Sequence, residues 1–339
     1  MRVNSRPRLQ KECCFNRPFG RPACRSCAEV CPAEAIGWDD EGMPRLDDAR
    51  CTGCMACVAR CPGDAWQDQG WDLLRLRRQA ALVVARGRSL LHVRCSAAGE
   101  GACDARVTCH GGWDALALAV IAAEGVTRLA LHGVEACARC PRRYGGSVVQ
   151  EQMEHYRTLS RGMVLRLELG SVEGADGAEE PTRRRFFRRL LPALAQGAAS
   201  VVAAARRPEV EEECEVADGR RPPLRLRLFV RALERPHPSF TPVPASLPLP
   251  LGSIQVSDAC DGCGACVACC PVDVLGLRRF GAGTILEFDA AACVGCAICL
   301  PRCPQSAITM LPAVSLPAMS ARRPRPLALV AQEGDGPGG

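Results

Sequence analysis

The sequence predicts a mixed α+β chain in which two small units organised by cysteine flank a small α/β domain. Three observations lead there. The 339 residues include 24 cysteines, grouped at 13–61, 95–140 and 260–303, with Cys214 standing alone. The first and third groups read as copies of one unit, an internal repeat. Between them, short apolar runs alternate with a helical pattern, as a small parallel sheet requires.

Composition narrows the chemistry. Aromatic residues are few, so several small cores are expected rather than one large one. Cysteine at this density serves either disulfides or metal. The opening residues MRVNSRPRLQKECC are polar and lack the apolar run of a secretory signal. No stretch of about 20 apolar residues occurs, so no membrane span is expected. The expected location is cytoplasmic, where cysteines stay reduced and their density points to metal. The net charge of +6 is carried almost wholly by arginine, Lys11 being the single lysine. The few aromatics are not interleaved with basic residues, which argues against nucleic-acid binding.

Taken in order, residues 10–70 form the first unit: a cysteine loop, a hairpin (AIGWDD, EG, MPRLD) and a second cysteine loop. Residues 80–170 form the α/β domain. There AALVVARGRSLLHVRC supplies apolar strand runs, WDALALAVIAAEG a helix ending at Gly125, and VTRLALHG another buried strand. Residues 171–252 read as a linker that carries one helix. Within it, TRRRFFRRLLPALAQGAASVVAAA (182–205) resembles a twin-arginine export signal, but its internal position favours a basic amphipathic helix that packs, or docks to a partner or a membrane surface. The proline-rich stretch 237–252 is expected to be extended. Residues 253–315 repeat the first unit, with VLGLRRF, GAG and TILEF as the hairpin and AITML as the closing strand. The tail, 316–339, is rich in Pro, Gly and Arg and is expected to be disordered.

Three segments carry C-x2-C-x2-C-x3-C-P in full. They are Cys51, Cys54, Cys57 and Cys61 with Pro62; Cys260, Cys263, Cys266 and Cys270 with Pro271; and Cys293, Cys296, Cys299 and Cys303 with Pro304. Three thiolates of one tight loop can reach three irons of a cubane, while the fourth points away toward a partner loop. Zinc sites use two separated C-x-x-C pairs, which these runs do not match. The small residues Gly53, Gly262 and Gly295 let backbone amides approach the cluster.

Residues 255–310 resemble a complete two-cluster bacterial ferredoxin. The resemblance implies one [4Fe–4S] cluster on Cys260, Cys263, Cys266 and Cys303, and another on Cys293, Cys296, Cys299 and Cys270. Residues 10–68 resemble the same domain with one departure: Arg21 stands where the first motif should begin, ahead of Cys24, Cys27 and Cys31-Pro32. By the same carry-over, one cluster takes Cys51, Cys54, Cys57 and Cys31. The other takes Cys24, Cys27 and Cys61 and needs a fourth ligand. Either Cys13 or Cys14 can supply it, with Cys14 favoured as nearer in sequence; the alternatives are a three-iron cluster or a non-cysteine ligand. The fold class expected is thus α+β, two ferredoxin-like dicluster domains flanking a small α/β domain, with four [4Fe–4S] clusters.

The middle cysteines, Cys95, Cys103, Cys109, Cys137 and Cys140, fall near predicted strand ends, where parallel sheets bind ligands. Their order is similar to that in the delta-type iron–sulfur subunit of methanogen-type hydrogenases, which implies a [2Fe–2S] cluster. Zinc, or an α/β domain with plain thiols, are the other readings. Cys269 and Cys214 read as bystanders, and His110 lacks the spacing of a Rieske centre. No dinucleotide, Walker or nucleophile motif occurs, so no catalytic residue is expected. The function expected is multi-cluster electron transfer as a subunit or dedicated partner of a larger oxidoreductase. The alternatives are a redox enzyme component using the Cys137–Cys140 thiols, or an iron–sulfur redox sensor.

Overall fold

A computed structural model describes residues 6–17, 24–161, 168–169, 221–234, 242–281 and 283–331. The predicted basic helix at 182–205 and Cys214 lie outside the described residues.

The first unit opens with β1 (Arg8–Leu9), followed by α1 (Ser26–Glu29), the hairpin β2 (Ile36–Trp38) and β3 (Pro44–Leu46), α2 (Ala56–Arg60) and β4 (Trp66–Gln67). β1 pairs antiparallel with β4, so the first strand closes on the last, and β2 pairs with β3 in between. Both hairpin strands lie where the sequence predicts them.

The middle region begins with α3 (Leu73–Ala85), then β5 (Leu90–Cys95), β6 (Ala105–Val107), α4 (Ala115–Ala123), β7 (Arg128–His132), α5 (Gly145–Leu159) and β8 (Glu168–Leu169). The sheet order is β6-β5-β7-β8, and every pair is parallel. One expectation changes here: AALVVA is the end of a helix, not a strand. Asp72 caps α3 by accepting from the Leu74 and Arg75 amides, and Leu73, Leu76, Ala80 and Val83 recur at helical spacing on its buried side. All nine residues of α4 are buried, which suits a helix apolar all round.

The segment expected to be a linker contains α6 (Leu224–Ala232), and it is no free tether. Leu226 and Phe229 are fully buried, and the helix packs on α4.

The last unit runs β9 (Val243–Pro244), β10 (Ile254–Val256), α7 (Ala265–Cys269), β11 (Leu275–Phe280), β12 (Gly283–Phe288), β13 (Ile308–Met310), β14 (Ala313–Val314), α8 (Leu316–Ser320) and β15 (Arg325–Ala331). β10 pairs with β13 and β11 with β12, the plan of the first unit again. The proline-rich stretch is anchored as well, β9 pairing with β14.

The tail corrects the expectation of disorder from 316. Ser315 caps α8 by accepting from the Ala318 amide, and Leu316 and Met319 are fully buried. β15 then pairs with β12, with a bulge between Leu286 and Glu287. The Pro- and Arg-rich composition hid the run Leu327–Val330, which needs a strand partner that only the fold supplies. Pro326 is tolerated because β15 is an edge strand. One connected buried core passes through both cysteine units and the parallel sheet.

Candidate metal centres

The cysteine loops share a backbone device. Gly53, Gly262 and Gly295 hold φ of +71°, +73° and +66°, a left-handed turn that costs glycine little. The turn aims amides inward: Gly53 donates to the Cys51 thiol and Gly295 to Cys293, while Ala56 donates to Cys54 and Ile298 to Cys296. Three of the cysteines that precede a proline receive a further amide from four residues on. Ala35 donates to Cys31 Sγ at 3.2 Å, Ala65 to Cys61 Sγ at 3.2 Å and Ala307 to Cys303 Sγ at 3.3 Å. Such donors stabilise thiolate over thiol and tune a bound cluster.

The thiols sort into sets that cross between loops. Cys31 lies within electrostatic reach of Cys51, Cys54 and Cys57. Cys14 is brought beside Cys24 and Cys61, and Cys27 beside Cys24 and Cys14. Cys270 joins Cys293, Cys296 and Cys299. Cys260, Cys263, Cys266 and Cys303 line one open cavity with Leu277, Leu286 and Ile308 as its apolar wall.

A fifth set lies at the carboxyl ends of the parallel strands. Cys95 closes β5, Cys109 follows β6, and Cys137 and Cys140 follow β7. Cys95 is within reach of Cys109, Cys137 and Cys140. Cys103 is placed apart from them, at the amino end of β6. Spacing alone could not separate it, because its loop returns the chain to the opposite end of the parallel strands.

Burial pushes these thiols up. Cys27, Cys61 and Cys266 rise from 9.0 to about 11, and Cys293, Cys299 and Cys109 to about 12, with neighbouring thiols adding to the rise for all of them except Cys61, where the neighbouring charge is Asp64. Packed thiols that oppose one another's ionisation form thiolates when a cation joins them. Among the described residues, no three of His, Cys, Asp or Glu converge closely enough to grip one metal ion. Thiols drawn from more than one loop suit a cluster, whose thiolates each hold a different iron.

The raised values set a pH dependence. A protonated thiol is neutral, so the metal-free fold keeps its protons longer than the unfolded chain does. The support this lends is complete below pH 9.0 and is lost as pH climbs through about 11. The urea midpoint of reduced, metal-free protein is expected to fall across that window; a flat midpoint would contradict the burial of these thiols.

The parallel sheet and the first unit meet closely. Gly111 lies against the Cys54 carbonyl, where a β-carbon would collide with it. Arg142 Nε donates to Gly53 O at 3.0 Å and its Nη1 to Ser96 Oγ at 3.0 Å. Gly111→Ala is expected to cost about 1–3 kcal/mol, read as a lower urea midpoint. An unchanged protein would place the two units further apart than this.

The family model of the 4Fe-4S dicluster domain matches residues 22–66, and a second model of the same description matches 259–307. Two stretches of this chain are 4Fe-4S dicluster domains. Short parts of the chain are similar to curated proteins. One is a subunit of the Na(+)-translocating ferredoxin:NAD(+) oxidoreductase complex of Acetobacterium woodii, 43% identical over 37 residues, covering 11% of each chain. Another is the thiosulfate reductase electron transfer subunit PhsB of Salmonella typhi, 41% identical over 49 residues, covering 13% of this chain and 26% of that one. A third is a subunit of the tetrathionate reductase of Salmonella typhimurium, 44% identical over 39 residues, covering 12% and 16%. The chain thus spans about a tenth to a quarter of the length of these relatives. No solved structure matches it.

Proposed function

We propose that this protein carries electrons through four [4Fe–4S] clusters for a larger oxidoreductase or a dedicated redox partner. The observation that carries the reading is the sorting of sixteen thiols into four sets of four, three of them drawing three cysteines from one loop and one from another, and the set of Cys14, Cys24, Cys27 and Cys61 drawing on three stretches of chain. The ligand sets proposed are Cys31, Cys51, Cys54 and Cys57; Cys14, Cys24, Cys27 and Cys61; Cys270, Cys293, Cys296 and Cys299; and Cys260, Cys263, Cys266 and Cys303. A bound cubane takes up and returns one electron at a time. The chain's own part is to hold the thiolates, aim amides at them and wall off water with residues such as Leu286 and Ile308. The relatives with matching segments include an electron transfer subunit and subunits of reductase and oxidoreductase complexes, which supports a partner of that kind.

The fifth set, Cys95, Cys109, Cys137 and Cys140, suits a [2Fe–2S] cluster. Thiol chemistry at Cys137 and Cys140 is disfavoured, since burial raises the Cys137 thiol where a reactive thiol needs a lowered value. Reversible electron exchange with a partner separates a carrier from a redox sensor. Every described cysteine is a free thiol, which suits a reducing, cytoplasmic setting. No described helix is long and apolar enough to cross a membrane.

The test is iron and acid-labile sulfide per chain on anaerobically purified protein, with EPR after reduction. About 16 irons are expected from four cubanes and about 18 with the middle centre filled. Protein that stays colourless and iron-free without oxygen overturns the proposal, and zinc in the same assay would replace it at the middle set.

A further inference from the structure

We propose that the five thiol sets stand in single file, with the set of Cys14, Cys24, Cys27 and Cys61 as the bridge between the two dicluster domains and Cys24 facing Cys296 across the junction. The parallel-sheet set occupies one end of the file and the set around the exposed Cys263 the other. This inference rests on the electron-transfer reading and adds the order of the centres, which no motif carries.

Each link has contacts of its own. At the first, Cys109 lies within reach of Cys54, and Gly111 and Arg142 fasten the two loops together. At the second, α1 and α2 pack side by side, bringing Cys27 within reach of Cys57. The third link crosses between the domains. Arg60, the residue before Cys61, donates Nη1 to the Pro248 carbonyl at 2.6 Å. The chain then runs on through the buried Leu251 to Gly252, which lies so close to Gly295 that a β-carbon on Gly252 would strike both Gly295 and the Cys293 sulfur. That path delivers the loop holding Cys296 to Cys24, and the two thiols lie within electrostatic reach of each other. At the fourth link, Cys269 stands between the last two sets, near both Cys266 and Cys299. Its Sγ donates to the Cys266 carbonyl at 3.5 Å, so it spans the gap without belonging to either set. The file ends at Cys263, which is exposed beside the open cavity, where a partner can approach.

The order has a consequence that the cluster count lacks. Electrons passing between the parallel-sheet end and the Cys263 end must cross the bridge, so losing it divides the protein into two isolated halves.

The test is EPR of the fully reduced, anaerobic full-length holoprotein, where adjacent paramagnetic clusters broaden one another's signals and speed their relaxation. In Cys24→Ser, the signal from the 259–307 domain is expected to lose the broadening it receives across the junction. In Cys263→Ser, the signals of the first domain are expected to stay as they are. Cys296→Ser is the reciprocal variant, and the first domain should then lose its share of the coupling. C-terminal signals unaltered in shape and relaxation by Cys24→Ser overturn the file. The wild type decides as well if a variant fails to load: a spectrum equal to the sum of two separate pair spectra overturns the junction. Iron analysis of the same samples keeps the two proposals apart. Full iron without coupling sinks only the file, whereas iron-free protein sinks the electron-transfer reading.

Discussion

Replacing Arg225 with methionine is expected to destabilise the protein by about 3–5 kcal/mol, the cost of leaving a buried charge unpaired. Arg225 lies on α6 and is 6% exposed. Its guanidinium pairs with Asp64 and Asp114, and its Nη2 donates to the carbonyls of Val58 and Cys61, each at 3.1 Å. Nη1 donates to the Ala59 carbonyl, so one side chain satisfies three carbonyls at the end of α2. Its backbone amide also donates to Asp64 Oδ2 at 3.0 Å. Burial pulls the guanidinium value down, but the two carboxylates outweigh it and hold Arg225 above the ordinary arginine value. Asp114 is itself almost wholly buried, and burial raises its carboxyl even beside Arg225.

Methionine in place of Arg225 therefore strands the Asp114 carboxylate and three carbonyls at once. The residues clamped are the cysteine helix α2, the cap of α4 and α6, so the loss is expected to release the Cys61 cluster sooner as well. The check is the urea midpoint of anaerobic holoprotein, followed by the visible absorbance of the clusters. Adding Asp64→Asn and Asp114→Asn to Arg225→Met removes the stranded charge and is expected to recover part of the loss. A loss below about 1 kcal/mol, the range of a surface ion pair, would overturn this account of the clamp.

Cys14→Ser is expected to remove or cripple one cluster, while Cys13→Ser leaves all of them in place. The structure sets the Cys14 thiol beside Cys24 and Cys61, and Asn16 holds that loop by accepting from the Cys24 amide at 2.7 Å and donating to the Cys24 carbonyl at 2.9 Å. Asn16 is buried although nothing in its sequence context marks it, and this pair of bonds joins the upstream cysteines to the Cys24 loop. Serine at 14 is a poor iron ligand, so the expected loss is one to four irons per chain, from a three-iron remnant to an empty site. Iron analysis and EPR of oxidised protein read it, a three-iron cluster being paramagnetic in that state. Full iron with an unchanged spectrum in Cys14→Ser, or the loss appearing in Cys13→Ser instead, would move the fourth ligand.

Cluster chemistry was legible in the sequence because three ligands of each full motif come from one short loop, where chain geometry alone limits what they can bind. The hairpins were legible for the same reason: Gly281 and the turn at Gly42 announce them locally. The parallel sheet followed from its alternating runs, although AALVVA belongs to a helix and not to a strand. Short apolar runs do not tell a buried helix face from a strand, and only the Asp72 cap resolves it. The tertiary structure decided what depends on residues far apart in the chain. It set Cys14 beside Cys24, left Cys103 at the other end of the parallel strands, and paired β15 with β12 where composition read disorder. Arg225 was invisible among 42 arginines because its role exists only when Asp64 and Asp114, at 161 and 111 residues' separation, converge on it. Local spacing specifies the kind of centre, since thiolate loops are built from neighbours. The proposed order of centres and their proposed fourth ligands, like the Arg225 clamp, rest on long-range packing, which the cysteine motifs do not encode.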